Sequence, residues 1–381
     1  MPVFNSNNNV LRPSKRSESV MVCAMDIVNP GCRVLLRNHI QLFQGYAQKV
    51  RIMKILCKVL LLTAVSISVI GCHSENFSRG DGKTPCDAFP QTYTLTNGKV
   101  VVVVAPNIGR IIGYHRVGEP NMLWLDAVPS SDKNEKPEDE WINYGGDRVW
   151  LSPQDLWWEI SCRHTPDGTT DGEPMEVIYA DTRKIIIKSN VSYAHGIRLT
   201  RTISLPDDDT TVRIDNHLER VLANSYPVQI WAIAQVHLPK TAYLGLTKDR
   251  PSGKPDFVSP GVPKLTVDYN LGAARFEWDK YKNTKAGTYG RWVAAVYGKT
   301  VFVQYAPLDV DAKYYDRANC EIFVNPISRY MELELLSPIK YLPKGKDIDF
   351  TVTWKLIDLP GNSSQNDIVK QIECNTPKWA N

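Results

Sequence analysis

"GIRLTRTISLPDDDTTVRIDNHLERVLANSYPVQIWAIAQV", residues 196–236, decides the fold. Apolar and polar residues alternate through 196–206, again through 210–221, and again through 228–239. A period of two is that of a strand half-buried against a core. Polar, Pro-containing turn signals separate the three runs. The same pattern extends in both directions. Upstream lie "GKVVVVVAP" (98–106), "GRIIGYHRVG" (109–118) and "MEVIYADTRKIIIKSNVSY" (175–193). Downstream lie "KLTVDYN", "GRWVAAVYGKTVFVQYAP", "CEIFVNP", "RYMELELLSPIKYLP" and "DIDFTVTWKLIDLP". Roughly a dozen strands at short spacing predict an all-β, large antiparallel sandwich. Helical periodicity appears only in "SSQNDIVKQIEC" near the C-terminus, and no repeat at a propeller period is present.

The N-terminal part reads differently. "MKILCKVLLLTAVSISVIGC" (53–72) has a basic start at Lys54 and Lys58, then a largely apolar run, Val59–Ile70, and Gly71-Cys72. The run is too short to span a bilayer, which takes about 20 residues. It fits the apolar region of a secretory signal. Val69-Ile70-Gly71-Cys72 resembles a bacterial lipobox, which implies lipidation of Cys72. The expected organisation is an upstream mis-start or extended basic region (1–52), a signal (53–71), a tether (72–90), one β-domain (91–358) and a tail with a short helix (359–381). The expected location is the cell envelope, on the periplasmic side or surface of the outer membrane, with the membrane as a partner through Cys72.

The net charge of +4 is modest, and residues 72–381 contain no Lys/Arg-dense block, so no nucleic-acid partner is expected. Cys86, Cys162, Cys320 and Cys374 would permit two disulfides in an exported chain, with three connectivities. No CxxC spacing is present, so neither metal nor cofactor is expected. A monomer is expected.

Chemistry-bearing residues gather in two places. "YGGDRVWLSPQDLWWE" (144–159) combines flat rings with hydrogen-bonding groups: Trp150, Trp157 and Trp158 with Asp147, Arg148 and Gln154. Gly145-Gly146 permits a sharp turn there. In "WAIAQVHLP", alternation puts Trp231, Ile233, Gln235 and His237 on one face. In "RYMELELLSP" it groups Tyr330, Glu332 and Glu334. In "YYDRANCEIF" it groups Asn319 with Glu321.

The segments "NIGRIIGYHRVGEPNMLW", "YGGDRVWLSPQDLWW" and 196–236, in this order, resemble the galactose-mutarotase-like superfamily. The stretch 279–345, with "MELELLSP" and the later "LPKG", is similar to a bacterial branch known only as a domain of unknown function. The resemblance covers about residues 93–357. It implies a β-supersandwich whose concave face binds carbohydrate, with rings stacking on sugar C–H faces and Arg, Asp and Gln bonding hydroxyls. In the sugar 1-epimerases of this superfamily a Glu takes the anomeric proton and a His protonates the ring oxygen. By that resemblance Glu334 is the expected base, Glu332 the second choice and His237 the expected acid, although the natural alignment of the acid falls on Gln235. His164 is the rival acid. Lys282, Asp316 and Arg317 are further expected ligand contacts. Three functions follow: a carbohydrate-binding lipoprotein acting at an anomeric centre, an aldose 1-epimerase, or a non-catalytic structural domain of the envelope.

Overall fold

Among the described residues there are eighteen strands, against the roughly dozen that the alternation predicts. The first nine are β1 (Tyr93–Thr96), β2 (Val100–Ala105), β3 (Arg110–Arg116), β4 (Asp147–Ser152), β5 (Glu176–Ala180), β6 (Lys184–Lys188), β7 (Ile197–Ser204), β8 (Val212–Arg220) and β9 (Gln229–His237). The rest are β10 (Thr241–Gly245), β11 (Leu265–Asp268), β12 (Ala273–Phe276), β13 (Thr284–Thr288), β14 (Trp292–Tyr297), β15 (Thr300–Tyr305), β16 (Cys320–Asn325), β17 (Tyr330–Leu336) and β18 (Asp347–Asp358). Among the described residues there are also two α-helices, α1 (Trp157–Ser161) and α2 (Gln365–Cys374). This computed structural model describes residues 89, 91–126, 141–247 and 265–380, all within the unit Phe77–Asn381. The expected signal, Cys72 and Cys86 lie outside the described residues.

The strands form two antiparallel sheets. One has eight strands, ordered β1-β2-β3-β4-β9-β17-β16-β13, and the other ten, ordered β11-β12-β10-β14-β15-β18-β8-β7-β6-β5. The predicted all-β supersandwich is the observed fold. Between the sheets lie the alternate apolar residues of each strand, among them Leu199, Ile214, Ala234, Leu333 and Phe350. Burying one such aliphatic side chain contributes about 1.5–3 kcal/mol. The run 175–193 folds as two strands because Asp181 turns the chain: its Oδ1 accepts from the Arg183 and Lys184 backbone N–H groups, both at 2.7 Å.

α2 forms where the C-terminal periodicity predicted it. Ser364 caps it through a reciprocal box with Asp367. Its Ile368, Val369 and Ile372 cover Val301, Val303 and Tyr305 on the outer side of the ten-stranded sheet. Cys162, Cys320 and Cys374 are free thiols, so no disulfide joins cysteines among the described residues.

Charge is also built into the sandwich interior. Arg201 of β7 shares its face with Leu199 and Ile203 and is fully buried. Its guanidinium donates to Asp147 Oδ1 of β4, to Asn216 Oδ1 at 3.1 Å and to the Gly109 carbonyl at 3.0 Å. Asp147 therefore points between the sheets, on the side of Val149 and Leu151, and does not join the ligand contacts expected of it. Burial raises its pKa, and Arg201 opposes that shift. Removing one member of a buried pair strands the other charge. Asp147→Ala is expected to lower the unfolding free energy by about 3–5 kcal/mol in urea titrations, and Asp147→Leu combined with Arg201→Met to restore much of the loss.

Candidate functional site

The residues left over by the core face outward from the eight-stranded sheet. In β9 the inward residues are Ala232, Ala234 and Val236, which leaves Trp231, Ile233 and Gln235 on the outer face. In β17 Met331, Leu333 and Leu335 point inward, so Glu332 and Glu334 point outward. Register then aligns the polar groups. Glu332 lies opposite Gln235, Glu334 opposite Ile233, and Glu321 of β16 opposite Glu334. Arg148 of β4 lies opposite Ile233 on the other side of β9, and Trp150 opposite Trp231.

Two linked clusters result. Lys285 of β13 reaches between the paired carboxylates, with Nζ 2.6 Å from Glu321 Oε2 and 3.0 Å from Glu334 Oε2. Trp231 Nε1 donates to Glu334 Oε2 at 2.8 Å, and the Lys285 ammonium sits 4.5 Å from the centroid of that indole ring. In the second cluster Glu332 Oε1 accepts from Arg148 Nη2 at 2.6 Å and from Gln235 Nε2 at 2.9 Å. Glu321, Glu334, Gln235 and Arg148 have no exposure, whereas the Lys285 side chain keeps 16 % of its surface in solvent. Lys285 is where the cluster meets water.

Burial sets the protonation of this face. It pushes the Glu334 carboxyl well above the usual carboxylate range. Lys285 opposes the shift, while the neighbouring Glu321 and Glu332 reinforce it. Glu321 is raised for the same reason, again opposed by Lys285 and reinforced by Asp316. Burial alone would lower the Lys285 pKa, but the two carboxylates outweigh it and keep the ammonium charged.

The segment joining β15 to β16 covers the cluster. Its Leu308, Ala312 and Tyr314 pack on Trp231, Ile233 and Leu336, and Tyr314 meets Tyr289 edge-on at 5.5 Å. Asp316 and Arg317 follow with φ of 55° and 56°, in the left-handed region that side-chain-bearing residues rarely occupy. Asp316 is half-buried and within electrostatic reach of Lys285 and Asp155; burial raises its pKa.

Trp150 is the hub of the aromatic wall. It meets Trp141, Trp157 and Trp231 edge-on, each at 5.4 Å, and the Arg148 guanidinium lies 4.4 Å from its centroid. Asp171 orients the wall. Its Oδ2 accepts from Trp150 Nε1 at 2.7 Å and Trp141 Nε1 at 2.8 Å, while its Oδ1 accepts from Arg110 Nε at 2.7 Å. Burial lowers the Arg110 pKa to about 10 despite that carboxylate. The turn before β4 needs both glycines. A Cβ at Gly145 would lie 2.3 Å from the Trp124 carbonyl oxygen and one at Gly146 2.4 Å from that of Ile111.

The structure thus brings together Arg148, Trp150, Gln235, Glu332 and Glu334 of the residues singled out in sequence, with Asp316 beside them. Trp231 and Glu321, grouped on strand faces in the sequence, join them, and the structure adds Lys285 and Asp171. Others fall elsewhere. Trp157 is buried and donates to the Leu151 carbonyl at 2.6 Å, so it packs behind Trp150 and offers no platform. Trp158 is 56 % exposed on the opposite side of α1 and stacks on His164 at 4.8 Å. Gln154 and Lys282 are exposed in turns, and Arg317 is exposed beside Asp316. His237 stands at the exposed end of β9, opposite Tyr330. That is four residues from the partner of Glu334, or roughly 13 Å at about 3.3 Å per residue. The expected Glu334–His237 acid–base pair is therefore not assembled. Asn319 also leaves the face, exchanging bonds with the Gly290 backbone at 3.1 and 2.7 Å.

A cleft of about 840 Å³ lies elsewhere, lined by Arg163, Asp167, Glu173, Tyr193 and Arg198 among others. Its Asp167 is already committed: burial would raise its pKa, but His195 at 2.7 Å, Ser192 and Thr169 together hold it near 2. On the outer face of the eight-stranded sheet, by contrast, several buried polar atoms lack partners. Among the described residues no group of three or more His, Cys, Asp or Glu side chains is placed to hold a metal ion.

Two large antiparallel sheets, one carrying a polar face walled by indoles, define the class: a large all-β sandwich. Residues 91–357 match the family described as a domain of unknown function, DUF4380, and the chain belongs to that family. Among solved structures the chain is similar to a galactose mutarotase-like protein from Lactobacillus casei, at 11% identity and TM-score 0.49 over 70% of this chain and 100% of that one. It is also similar to a candidate aldose 1-epimerase from Escherichia coli K12, at 12% identity and TM-score 0.47 over 71% and 99% of the two chains. No curated protein matches the sequence.

Asp171→Ala would leave Arg110 and two indole N–H groups without their acceptor. The expected outcome is a loss of about 3–5 kcal/mol in unfolding free energy, with a weakened near-ultraviolet circular dichroism signal as the Trp141–Trp150 wall loosens.

Proposed function

We propose that the chain binds a carbohydrate on the outer face of its eight-stranded sheet and acts at the sugar's anomeric centre, with Glu334 taking the hydroxyl proton. One observation carries this reading. Arg148 Nε and Nη1, Gln235 Oε1, Glu321 Oε1 and Glu334 Oε1 are all buried on this face without a hydrogen-bond partner in the protein. An unmet buried polar atom costs about 1–3 kcal/mol, so several on one face mark capacity held for a ligand. The set contains donors and acceptors together, and a hydroxyl both gives and accepts. The flanking, half-buried Trp150 ring suits the C–H face of a pyranose. The superfamily resemblance read from the sequence supports the same ligand class. Polar lining of this kind argues against a purely structural envelope domain.

Entry is at Lys285, the exposed member, past Asp316 and the 306–318 segment. On a glycan array the full chain is expected to capture saccharides, and Arg148→Ala to lose capture. Anomer interconversion followed by NMR is expected to slow by about 100-fold or more in Glu334→Gln, the range over which a general base acts. Equal rates in wild type and variant would remove Glu334 from that role.

The sequence Met53–Cys72 supports a second part of the reading, attachment to the cell envelope through a lipid on Cys72. Radiolabelled palmitate is expected to enter the wild-type protein in cells and to be absent from Cys72→Ser, which moves to the soluble fraction. Label retained in Cys72→Ser would refute the anchor.

A further inference from the structure

The sugar reading leaves one chemical role without a residue. Ring opening needs a proton delivered to the ring oxygen as well as one removed from the anomeric hydroxyl. No described histidine meets Glu334. His115 bonds the Arg116 carbonyl, His164 stacks on Trp158, His195 bonds Asp167, His217 bonds Asp349, and His237 stands at the far end of β9. The group that does meet Glu334 is a second carboxyl. Glu321 is its direct partner across the β16–β17 ladder, and the same ammonium, Lys285 Nζ, touches both. Both residues are wholly buried, and each keeps its Oε1 without a partner.

We propose that Glu321 and Glu334 form one proton-sharing carboxyl pair that supplies both acid and base at the anomeric centre, with Lys285 as the positioning residue that holds them together. The inference rests on the sugar-site reading above. Two carboxylates facing each other in a buried site do not both ionise readily, so one proton stays on the pair. Burial raises both groups in accord with this.

The step balances without any other reactant. Ionised Glu334 takes the proton of the O1 hydroxyl as the C1=O1 double bond forms. The C1–O5 bond breaks, and O5 takes the proton carried by Glu321. The sugar is now the open aldehyde, and the shared proton has moved from Glu321 to Glu334. Rotation about C1–C2 presents the other face of the carbonyl. Closure runs the transfers backwards and returns the pair to its starting state. Lys285 stays charged throughout. The other groups facing the pair are Glu332 on β17, Asp316 from the covering segment and, through Asp316, Asp155. All three are acids, and they favour the shared-proton state.

Infrared spectroscopy of the full chain at neutral pH, with no sugar present, tests the pair itself. A protonated-carboxyl stretch is expected in wild type and is expected to vanish in both Glu321→Gln and Glu334→Gln. Its absence from wild type overturns the proposal, and this outcome does not depend on how the variants fold. NMR of α-D-galactose and α-D-glucose interconversion tests the chemistry. Glu321→Gln is expected to lose about 100-fold in rate, as Glu334→Gln does. The pH–rate profile is expected to be bell-shaped, because only the singly protonated pair works. Lys285→Met, by removing a cation that favours ionisation, is expected to move the basic limb to higher pH. An unmoved limb would overturn the positioning role. A wild-type rate in Glu321→Gln beside an inactive Glu334→Gln overturns the pair and leaves the Glu334 reading standing. Saccharide capture with no interconversion by wild type overturns the pair and leaves binding standing. No capture at all would sink the sugar reading first.

Discussion

Lys285 holds together a site that would otherwise repel itself. Glu321 and Glu334, both fully buried, face each other across adjacent strands, an arrangement that like charges oppose. The ammonium at 2.6 and 3.0 Å offsets that repulsion, and its place over the Trp231 ring fixes it from the other side. Trp231 in turn is bonded to Glu334 and held edge-on by Trp150. The aromatic wall and the charged cluster are therefore one structure, and the wall is itself fixed by Asp171 through two indole N–H groups.

Buried charge is spent in two distinct ways in this fold. Between the sheets, Arg201 meets Asp147, Asn216 and the Gly109 carbonyl, so its donors are matched within the protein. On the outer face the matching is incomplete, because Arg148, Gln235, Glu321 and Glu334 all retain unpaired atoms. A fully satisfied network stiffens a core, whereas a partly satisfied one is costly unless something else completes it. This difference separates a structural ion pair, which bridges the two sheets, from a candidate site carried by the eight-stranded sheet alone.

Most of the fold was legible because the period-two pattern is strong. The two helices were not equally so. α2 shows its cap and periodicity, whereas α1 is too short to show either and sits where Trp157-Trp158 reads as easily as strand. The site was legible in part. Glu332, Glu334 and Gln235 follow from alternation and register. Asp147 could have been placed by the same rule, since Val149 and Leu151 share its parity and mark the core side; its nearness to Arg148 in sequence concealed that. Lys285 does not stand out in sequence because "TKAGT" is small and weakly patterned, and Lys282 three residues earlier is as plausible a cation. Asp171 lies in an irregular loop, where no period exists to read. His237 misled because a family pattern asks for an acid on that strand, while the register that fixes its distance from Glu334 is a property of paired strands and not of one.

That register is set by the core rather than by the site. Met331, Leu333 and Leu335 must face Ala232, Ala234 and their neighbours between the sheets, and a strand has only two sides. Slipping β17 by one residue would turn Glu332 and Glu334 into the apolar interior and put three large aliphatic side chains outside. The apolar interior therefore excludes that alternative, and in doing so it aims the carboxyls at Lys285 and Arg148. Each polar group on the outer face is held in place by the apolar neighbours on either side of it in sequence. The site therefore needs no loop to position its carboxyls; the segment 306–318 packs over the strands that carry them.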